Sequence, residues 1–276
     1  MNSQQHIAIV GSGNIGLSLA KGLVKAEICK PQQILLTRRN VGALAPYAEL
    51  GYIVTDNNLK AVRKADYVVL AVLPHQLNKL LDEIKPSIKS EKQLFISVVS
   101  GVSCGDIRSQ LDLNVQIIRA MPNTAIAIGH SMTCIATDNG TTKNINFVRS
   151  LFDTVGVTIQ INEELMTSAT ALCACGIAFF LRSIRAASQG GTEIGFHAHD
   201  ALKMAAQTAK GAADLLLQLA SHPEQEIDKV TSPSGCTIAG LNEMEHNGFS
   251  SAMIKGIKLS ASKAGDLYHK PEQDQF

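Results

Sequence analysis

The chain has 276 residues, enough for one or two domains with a substantial core, which excludes peptide hormones and disulfide-stapled miniproteins. Its 25 Lys and Arg residues nearly balance 24 Asp and Glu residues, and a net charge of +1 provides no basic surface for nucleic acid or an anionic membrane. Charged residues make up 18% of the chain, below the usual ~25%, so we expect a large core or associated subunits to cover much apolar surface.

An uncharged run of 17 residues extends from Leu165 to Leu181. Its length is at the lower limit of about 17 residues for a membrane span. However, it contains several Ser, Thr, Cys and Gly residues, and the sequence has no second segment of this kind. We interpret it as an interface helix. A strand-like sequence begins within six residues of Met1, and the six cysteines have no C-x-x-C spacing. We therefore expect a cytoplasmic protein with reduced, mostly buried thiols and no metal site.

Short apolar runs alternate with helix-length segments in the first half, the pattern of a parallel sheet covered on both faces by helices. The predicted strands are residues 6–10, 33–36, 52–54, 66–71, 93–98 and 115–120. Two further β-like segments, 128–136 and 155–160, flank a predicted helix near 142–152, and we expect them to extend the same sheet. After Glu163 only helical patterns remain, at residues 163–188, 197–220, 223–230, 237–247 and 249–269.

The first predicted strand runs directly into a glycine-rich turn. Its sequence is Gly11-Ser12-Gly13-Asn14-Ile15-Gly16, and an amphipathic helix follows. Between a strand and a helix, these glycines permit a tight turn and close approach of a pyrophosphate. The N-terminus of the helix offers free N–H groups and the positive end of its dipole. The sequence therefore predicts a dinucleotide site in a Rossmann-type domain.

The end of the second predicted strand indicates which dinucleotide binds. An NAD enzyme would place an acidic residue there to hold the ribose 2′-hydroxyl, whereas this chain has Thr37-Arg38-Arg39-Asn40. Two guanidinium groups and a hydroxyl suit a 2′-phosphate, so NADP(H) is favoured over NAD(H). Arg38 is the preferred ligand of the two, and the alternative for either arginine is an ordinary surface charge.

Longer strings carry a resemblance to a known family. They are Leu70-Ala71-Val72-Leu73-Pro74-His75, residues 96–102, Arg119-Ala120-Met121-Pro122-Asn123-Thr124, and Val230-Thr231-Ser232-Pro233-Ser234-Gly235-Cys236-Thr237-Ile238-Ala239-Gly240-Leu241. On these strings the chain resembles the pyrroline-5-carboxylate reductase family over essentially its whole length. The resemblance implies reduction of 1-pyrroline-5-carboxylate to L-proline by NAD(P)H.

The resemblance also implies the architecture. The expected fold class is α/β, with a Rossmann-type parallel-sheet domain that binds NADP at residues 1–162. An all-helical domain for dimerisation and substrate binding follows at residues 163–276. Homodimers would form through the helical domain and gather into a larger ring such as a pentamer of dimers.

Site residues follow from the resemblance position by position. Thr237 would orient or protonate the ring nitrogen, while Ser232, Gly235 and Cys236 would line the carboxylate site with it. Pro233 and Gly235 shape a turn at a helix start whose N–H groups suit a carboxylate, although an ordinary N-cap turn is the alternative. The cofactor residues added by the resemblance are Asn58, Ala71, Val72, Leu73, Pro74 and Asn123. Asn123 is either near the nicotinamide or a turn residue after Pro122.

Several positions depart from the family pattern. The family usually has Lys at Leu73, Gly at Ser234, Thr or Ala at Cys236, and S-G-S-G-P where Cys173-Ala174-Cys175-Gly176-Ile177 stands. These departures leave two alternatives open, namely an NADP-dependent imine reductase or β-hydroxyacid dehydrogenase-like enzyme on another substrate, and a non-catalytic NADP-binding paralogue. Residues 163–181 contain no Lys, which argues against alcohol oxidation.

Overall fold

An eight-stranded sheet organises the first part of the chain. The structure, a computed structural model, describes Met1 and residues 3–268. The strands are β1 (Ile7–Val10), β2 (Ile34–Thr37), β3 (Ile53–Thr55), β4 (Tyr67–Leu70), β5 (Leu94–Ser97), β6 (Gln116–Met121), β7 (Ser131–Ala136) and β8 (Gly156–Gln160). Their order in the sheet is β3-β2-β1-β4-β5-β6-β7-β8. The chain therefore begins in the middle of the sheet and builds outward on both sides.

Helices connect the strands and then form the rest of the chain. In the sheet region they are α1 (Asn14–Lys25), α2 (Ala45–Glu49), α3 (Asn58–Lys64), α4 (Pro74–Ile84), α5 (Cys104–Leu111) and α6 (Thr142–Asp153). Beyond it lie α7 (Met166–Ala169), a π-helix (Thr170–Cys175), α8 (Gly176–Glu193), α9 (Ala198–Leu219), α10 (Pro223–Lys229), α11 (Cys236–His246) and α12 (Phe249–Gly265). The predicted helix at 249–269 thus ends at Gly265, and residue 269 lies outside the described residues.

The central strands are buried on both faces, which explains why their sequences are continuous apolar runs rather than alternating ones. All four residues of β1, for example, are buried. One face of the sheet carries an apolar cluster that includes Leu19 and Leu23 of α1 and Phe152 of α6. The other face carries a second cluster that includes Leu77 of α4 and Ile107 of α5. The predicted α/β fold class is confirmed, since helices cover both faces of a mostly parallel sheet.

The sheet has one antiparallel step, between β6 and β7, which the sequence interpretation did not include. A parallel crossover needs about a dozen residues or more, and the connection from Pro122 to His130 is shorter. This connection holds a 3₁₀ helix, Thr124–Ile128, so Ile128 is helical and the predicted strand at 128–136 begins too early. Gly129, with φ of +76°, ends that helix before β7 starts.

The helical segment after β8 is long and strongly apolar. Within the part of the chain that the structure describes, the stretch Glu163–Glu193 is long and apolar enough by composition to cross a membrane. Interface helices of soluble oligomers share these properties, and this stretch is interrupted by polar and small residues. Leu172, Phe180 and Leu181 are exposed on the isolated chain, so the predicted interface helix is not buried by its own subunit.

The chain divides into two compact units. The first contains Met1–Cys175 and residues 260–268, and the second contains Gly176–Leu259. Tyr268 joins the returning segment to the first unit, because its hydroxyl donates to Asn78 Oδ1 at 2.8 Å and its ring packs on the cluster below α4 and α5. The boundary between residues 162 and 163 stays a prediction.

Candidate functional site

The glycine turn after β1 lies directly against the segment after β4. Gly11 has φ of +91°, and a Cβ there would lie 2.6 Å from both the Ala71 carbonyl oxygen and Val72 Cγ1. A Cβ on Gly16 would lie 2.7 Å from Ile9 Cγ2, so α1 packs tightly on its own strand. A Cβ on Gly13 would meet nothing within 4 Å. Two glycines therefore permit close packing, and the third leaves one side of the turn open.

The N-terminus of α1 faces this open side without a side-chain cap from the described residues. The first N–H groups of a helix, here those of Asn14, Ile15 and Gly16, have no partner within the helix, and the dipole makes this end positive. Ser12 behaves differently, because it is fully buried. Its N–H donates to the Thr37 carbonyl at 2.8 Å and its hydroxyl to the Ile9 carbonyl at 3.1 Å. Ser12 thus fixes the turn, while the residues after it present N–H groups to an anion.

Thr37 ends β2 and is buried beside the turn. Its hydroxyl donates to Asn58 Oδ1 at 2.7 Å and accepts from the Gly11 N–H at 3.4 Å. Both of these bonds are internal, and a role for this hydroxyl at a 2′-phosphate stays a prediction. Arg38 and Arg39, immediately beyond, are exposed and form no ion pair with any described residue. The two guanidinium groups are the cations available at this corner.

Asn58 and the segment from Ala71 to Pro74 complete the same cluster. The Asn58 amide donates to Glu83 Oε1 at 3.2 Å, and the Ala71 N–H donates to the Val10 carbonyl at 2.8 Å. Leu73 caps α4 and is 58% exposed. The cluster gathers the carboxyl ends of β2, β1 and β4, where the strand order reverses, and this is where dinucleotides bind in such sheets. The residues present, namely an open turn, a helix N-terminus and free arginines, fit NADP(H).

Asn123 follows β6 and is buried, with its amide already engaged. Its Oδ1 accepts from the Ala125 N–H at 3.0 Å and its Nδ2 donates to the Cys173 carbonyl at 3.2 Å. Its backbone N–H donates to Ser131 Oγ at 3.0 Å. The observed contacts of Asn123 are therefore those of a turn residue after Pro122. A role beside the nicotinamide stays a prediction.

The second cluster of predicted site residues is the loop between α10 and α11, in the second compact unit. Gly235 caps α11, and a Cβ there would lie 2.5 Å from Ser232 Oγ, so only glycine lets the loop close this tightly. Cys236 and Thr237 are the first residues of α11, whose N-terminus has no side-chain cap from described residues. The hydroxyls of Ser232 and Thr237 form no hydrogen bond with any residue that the structure describes. Free N–H groups and free hydroxyls thus occur together.

Ser234 has a backbone conformation that explains one departure from the family pattern. Its φ is +56°, in the left-handed region where a side chain is strained and glycine is not. The glycine that the family prefers here would adopt this conformation without strain. The serine keeps the loop shape at some cost in stability.

A partly exposed ionic group in the first unit was missed by the sequence interpretation. Cys104, Asp138 and Glu163 are, within the described ranges, the one group of three side chains close enough to hold a metal ion. However, Arg108 forms a bidentate ion pair with Asp138, and Arg119 Nη1 lies 3.4 Å from Glu163 Oε1. Burial raises the pKa of Cys104 to about 12, so its thiol stays protonated. The charges are already balanced, and the group fits a structural ionic cluster better than a cation site.

Sequence reasoning also missed a contact between two cysteine thiols. Cys134 in β7 and Cys173 in the π-helix have their sulfur atoms 3.9 Å apart. No local spacing signals this contact, because 39 residues separate the two positions in the chain. The only hint was the replacement of a family serine by cysteine at position 173.

Two family profiles match ranges of the chain that contain the two clusters. The family profile described as NADP oxidoreductase coenzyme F420-dependent matches residues 6–101, and the profile for pyrroline-5-carboxylate reductase dimerisation matches residues 163–267. Pyrroline-5-carboxylate reductase 1 of Dictyostelium discoideum is 53% identical over 98% of this chain, which spans 51% of that longer relative. Pyrroline-5-carboxylate reductase 2 of the same organism is 49% identical over 96% of this chain and 93% of its own length.

Solved structures give the same result. A pyrroline-5-carboxylate reductase from Coxiella burnetii superposes with a TM-score of 0.88 at 27% identity, covering 97% of this chain and 100% of the other. The Plasmodium falciparum pyrroline carboxylate reductase with NADP bound has a TM-score of 0.87 at 23% identity, over 98% of this chain and 100% of the other, and supports the fold. The chain belongs to the pyrroline-5-carboxylate reductase family of NAD(P)H-dependent oxidoreductases.

Proposed function

We propose that this chain reduces 1-pyrroline-5-carboxylate to L-proline with NADPH, the last step of proline biosynthesis. The observation that carries the proposal is the loop before α11, where an uncapped helix N-terminus stands beside two hydroxyl groups with no described partner. A cyclic imine acid needs both kinds of group, an anion site for its carboxylate and a hydrogen-bonding group at its ring nitrogen. Membership of the family makes this substrate the first one to test.

Each residue of the loop has a role that its chemistry allows. The N–H groups of Cys236 and Thr237 bind the carboxylate, helped by the dipole of α11, and Ser232 adds a hydroxyl donor. Gly235 leaves the space that a side chain would fill. The Thr237 hydroxyl orients the ring nitrogen and takes part in its protonation. The bound nicotinamide supplies the hydride that reduces the imine carbon.

For the cofactor we propose NADP(H) in preference to NAD(H). Arg38 and Arg39 bind the 2′-phosphate because both are exposed and without an ion pair to a described residue. The N–H groups of Asn14, Ile15 and Gly16 bind the pyrophosphate at the open side of the turn. Ala71, Val72, Leu73 and Pro74 border the turn, and Asn58 positions it through Thr37.

We further propose that the chain acts as a cytoplasmic homo-oligomer that binds neither nucleic acid nor membranes. The dimerisation profile spans residues 163–267, which supports homo-oligomerisation through the helical part. A dimer that assembles further into a ring such as a pentamer of dimers would cover the exposed apolar residues of α8 and α9. The near-neutral charge favours a small-molecule substrate over a polyanionic partner.

The test is NADPH oxidation by the purified protein with 1-pyrroline-5-carboxylate, with the product identified by mass spectrometry. Wild type is compared with Thr237→Ala and Thr237→Ser, because the serine variant keeps the hydroxyl as a matched control. We expect proline formation that falls by about 10²-fold or more in Thr237→Ala and is largely retained in Thr237→Ser. Equal activity of all three proteins would remove Thr237 from the chemistry.

The same assay distinguishes the two alternatives that the departures at Leu73, Cys173, Cys175 and Ile177 raise. Turnover of another imine or of a β-hydroxyacid, without turnover of 1-pyrroline-5-carboxylate, would indicate a related enzyme with a different substrate. Tight NADPH binding without turnover of any of these compounds would indicate a non-catalytic paralogue.

A further inference from the structure

Cys134 and Cys173 form a thiol pair beside the candidate nicotinamide side of the site. Cys134 lies in β7 and is 2% exposed, whereas Cys173 lies in the π-helix Thr170–Cys175 and is partly exposed. Their sulfur atoms are 3.9 Å apart, and a disulfide bond is about 2.05 Å long. A shift of about 2 Å shared between a strand and an irregular helical turn would therefore join them.

The protonation of the pair is uneven. The two thiols share a hydrogen bond in which either sulfur can donate, and this bond with Cys134 lowers the pKa of Cys173 to about 7, against the opposing effect of burial. The same bond and burial raise the pKa of Cys134 well above its usual range. Since the thiolate is the reactive form of cysteine, Cys173 is the nucleophile of the pair at neutral pH.

The other cysteines do not share these properties. Burial raises the pKa of Cys29 to about 11 and that of Cys104 to about 12, so both remain thiols. Cys175 and Cys236 have no thiol neighbour among the described residues. Only Cys134 and Cys173 combine proximity, one accessible sulfur and a reactive protonation state.

We propose that Cys134 and Cys173 are a thiol–disulfide pair through which oxidation regulates the cofactor side of the site. The oxidant is a small disulfide of the glutathione class. In the first step the Cys173 thiolate attacks one sulfur of this disulfide and expels one thiolate, which gives a mixed disulfide. Cys134 then loses its proton to solvent and attacks Cys173 Sγ, which expels the second thiolate. Two electrons pass from the two cysteines to the small disulfide, which leaves as two thiols.

The pair lies where its oxidation would move residues of the candidate cofactor site. This part of the inference rests on the proposed function. The Cys173 carbonyl accepts from Asn123 Nδ2, and Cys134 pairs with Met121 in the ladder between β6 and β7. Both cysteines therefore contact the strand and turn that carry Asn123. Drawing the π-helix toward β7 displaces the Cys173 carbonyl and with it the Asn123 side chain. A displacement of about 1 Å near reacting groups can reduce turnover by about 10²-fold.

The first experiment tests the bond without using activity. The reduced protein is equilibrated with glutathione buffers of rising disulfide fraction, alkylated, and analysed by intact mass and non-reducing peptide mapping. We expect wild type and the matched control Cys175→Ser to take up two alkyl groups fewer than their fully reduced forms and to yield one peptide linking residues 134 and 173. Cys134→Ser should stop at a mixed disulfide on Cys173, and Cys173→Ser should form neither product. A wild type that stays fully reduced, or that links a different pair, would overturn the proposal.

The second experiment tests regulation. Each protein is compared with its own reduced form for turnover of 1-pyrroline-5-carboxylate, so that changes in basal activity cancel. We expect oxidation to reduce turnover at least about tenfold in wild type and in Cys175→Ser, to leave Cys173→Ser unchanged, and to be reversed by a dithiol reductant. A mapped disulfide with unchanged turnover would refute the regulatory role. No turnover by the reduced wild type would refute the proposed function, while peptide mapping would still decide whether the pair forms.

Discussion

Arg38 and Arg39 follow β2 at the corner where the glycine turn opens, and neither guanidinium is committed to a carboxylate in the described chain. A guanidinium already held in an ion pair would have to break that bond before binding a phosphate. These two can bind a dianion without losing an existing partner, and Arg matches phosphate geometry with its planar set of donors. Cofactor selectivity is therefore a property of single side chains in this protein.

Replacing Arg38 with alanine should separate the two cofactors. We expect Kd for NADPH to rise by about 10- to 100-fold, the equivalent of about 1.5–3 kcal/mol for a charge-assisted hydrogen bond, and Kd for NADH to change by less than about threefold. Fluorescence titration of each cofactor gives both values, and Arg39→Ala measures the contribution of the second arginine. Equal losses for NADPH and NADH would mean that the 2′-phosphate is held elsewhere.

Ser234 provides a stability prediction at a single residue. Ser234→Gly should raise the free energy of unfolding by about 0.5–1 kcal/mol, because it relieves a left-handed φ that costs more than the added flexibility of glycine. Ser234→Ala keeps the strained φ and removes only the hydroxyl, so we expect a change within about 0.5 kcal/mol. Denaturant titration at one fixed protein concentration compares the three proteins. A glycine variant less stable than wild type would contradict the strain argument.

Among the elements, α1 is fixed against the far end of the sheet as well as against β1. A Cβ built on Gly22 would overlap Val155 Cγ1, and Val155, immediately before β8, is 2% exposed. This contact places a helix from the first strand–helix unit against the last strand of the sheet. It ties together residues that are more than a hundred positions apart in the chain.

Gly22→Ala should lower the free energy of unfolding by about 1–3 kcal/mol through overpacking at Val155. Gly105→Ala is a matched control in helix α5 of the same unit, where a Cβ would make only an ordinary contact with Ser103 Oγ at 3.7 Å. There we expect a gain of up to about 1 kcal/mol. The double variant Gly22→Ala/Val155→Ala should be more stable than the sum of its two single changes predicts. Strict additivity in denaturant titration would show that the two positions do not meet.

The elements also show what could be predicted from sequence. The central strands were predictable because burial on both faces leaves a continuous apolar run. The glycine turn was predictable because it lies between a strand and a helix. Residues 124–128 resisted prediction, since an apolar run is compatible with either a strand or a turn until Asn123 caps it and Gly129 ends it. Two features depend on tertiary contacts that no local pattern encodes. They are the hydrogen bond between Thr37 and Asn58 and the contact between the thiols of Cys134 and Cys173.

At the scale of the whole molecule, the second unit exposes more apolar surface than a stable monomer usually does. Phe180 is 62% exposed and Leu217 is 82% exposed. Because the dimerisation profile spans both residues, the proposed subunit association would account for this surface and for the low charge of the chain.

Phe180→Glu should dissociate the oligomer, because association would bury an unpaired carboxylate at a cost of several kcal/mol. Sedimentation at a fixed concentration should show a shift toward the mass of a single chain. Leu50→Glu, at a residue that is 64% exposed in the first unit, is the control and should leave the mass unchanged. The Phe180→Glu protein should still bind NADPH, because the glycine turn belongs to the first unit. An unchanged mass for Phe180→Glu would place the interface on another face.

The return of the chain from Ser260 to the first unit has a consequence for synthesis on the ribosome. Gly101 lies so close to the returning segment that a Cβ there would be 3.0 Å from the Ala264 carbonyl, and Tyr268 bonds to Asn78. The first unit therefore makes its contacts with the returning segment only after the whole second unit has left the ribosome. A nascent chain holds an unfinished first unit and a complete set of exposed interface helices at the same time, which makes this interval the one in which the protein most needs chaperone protection.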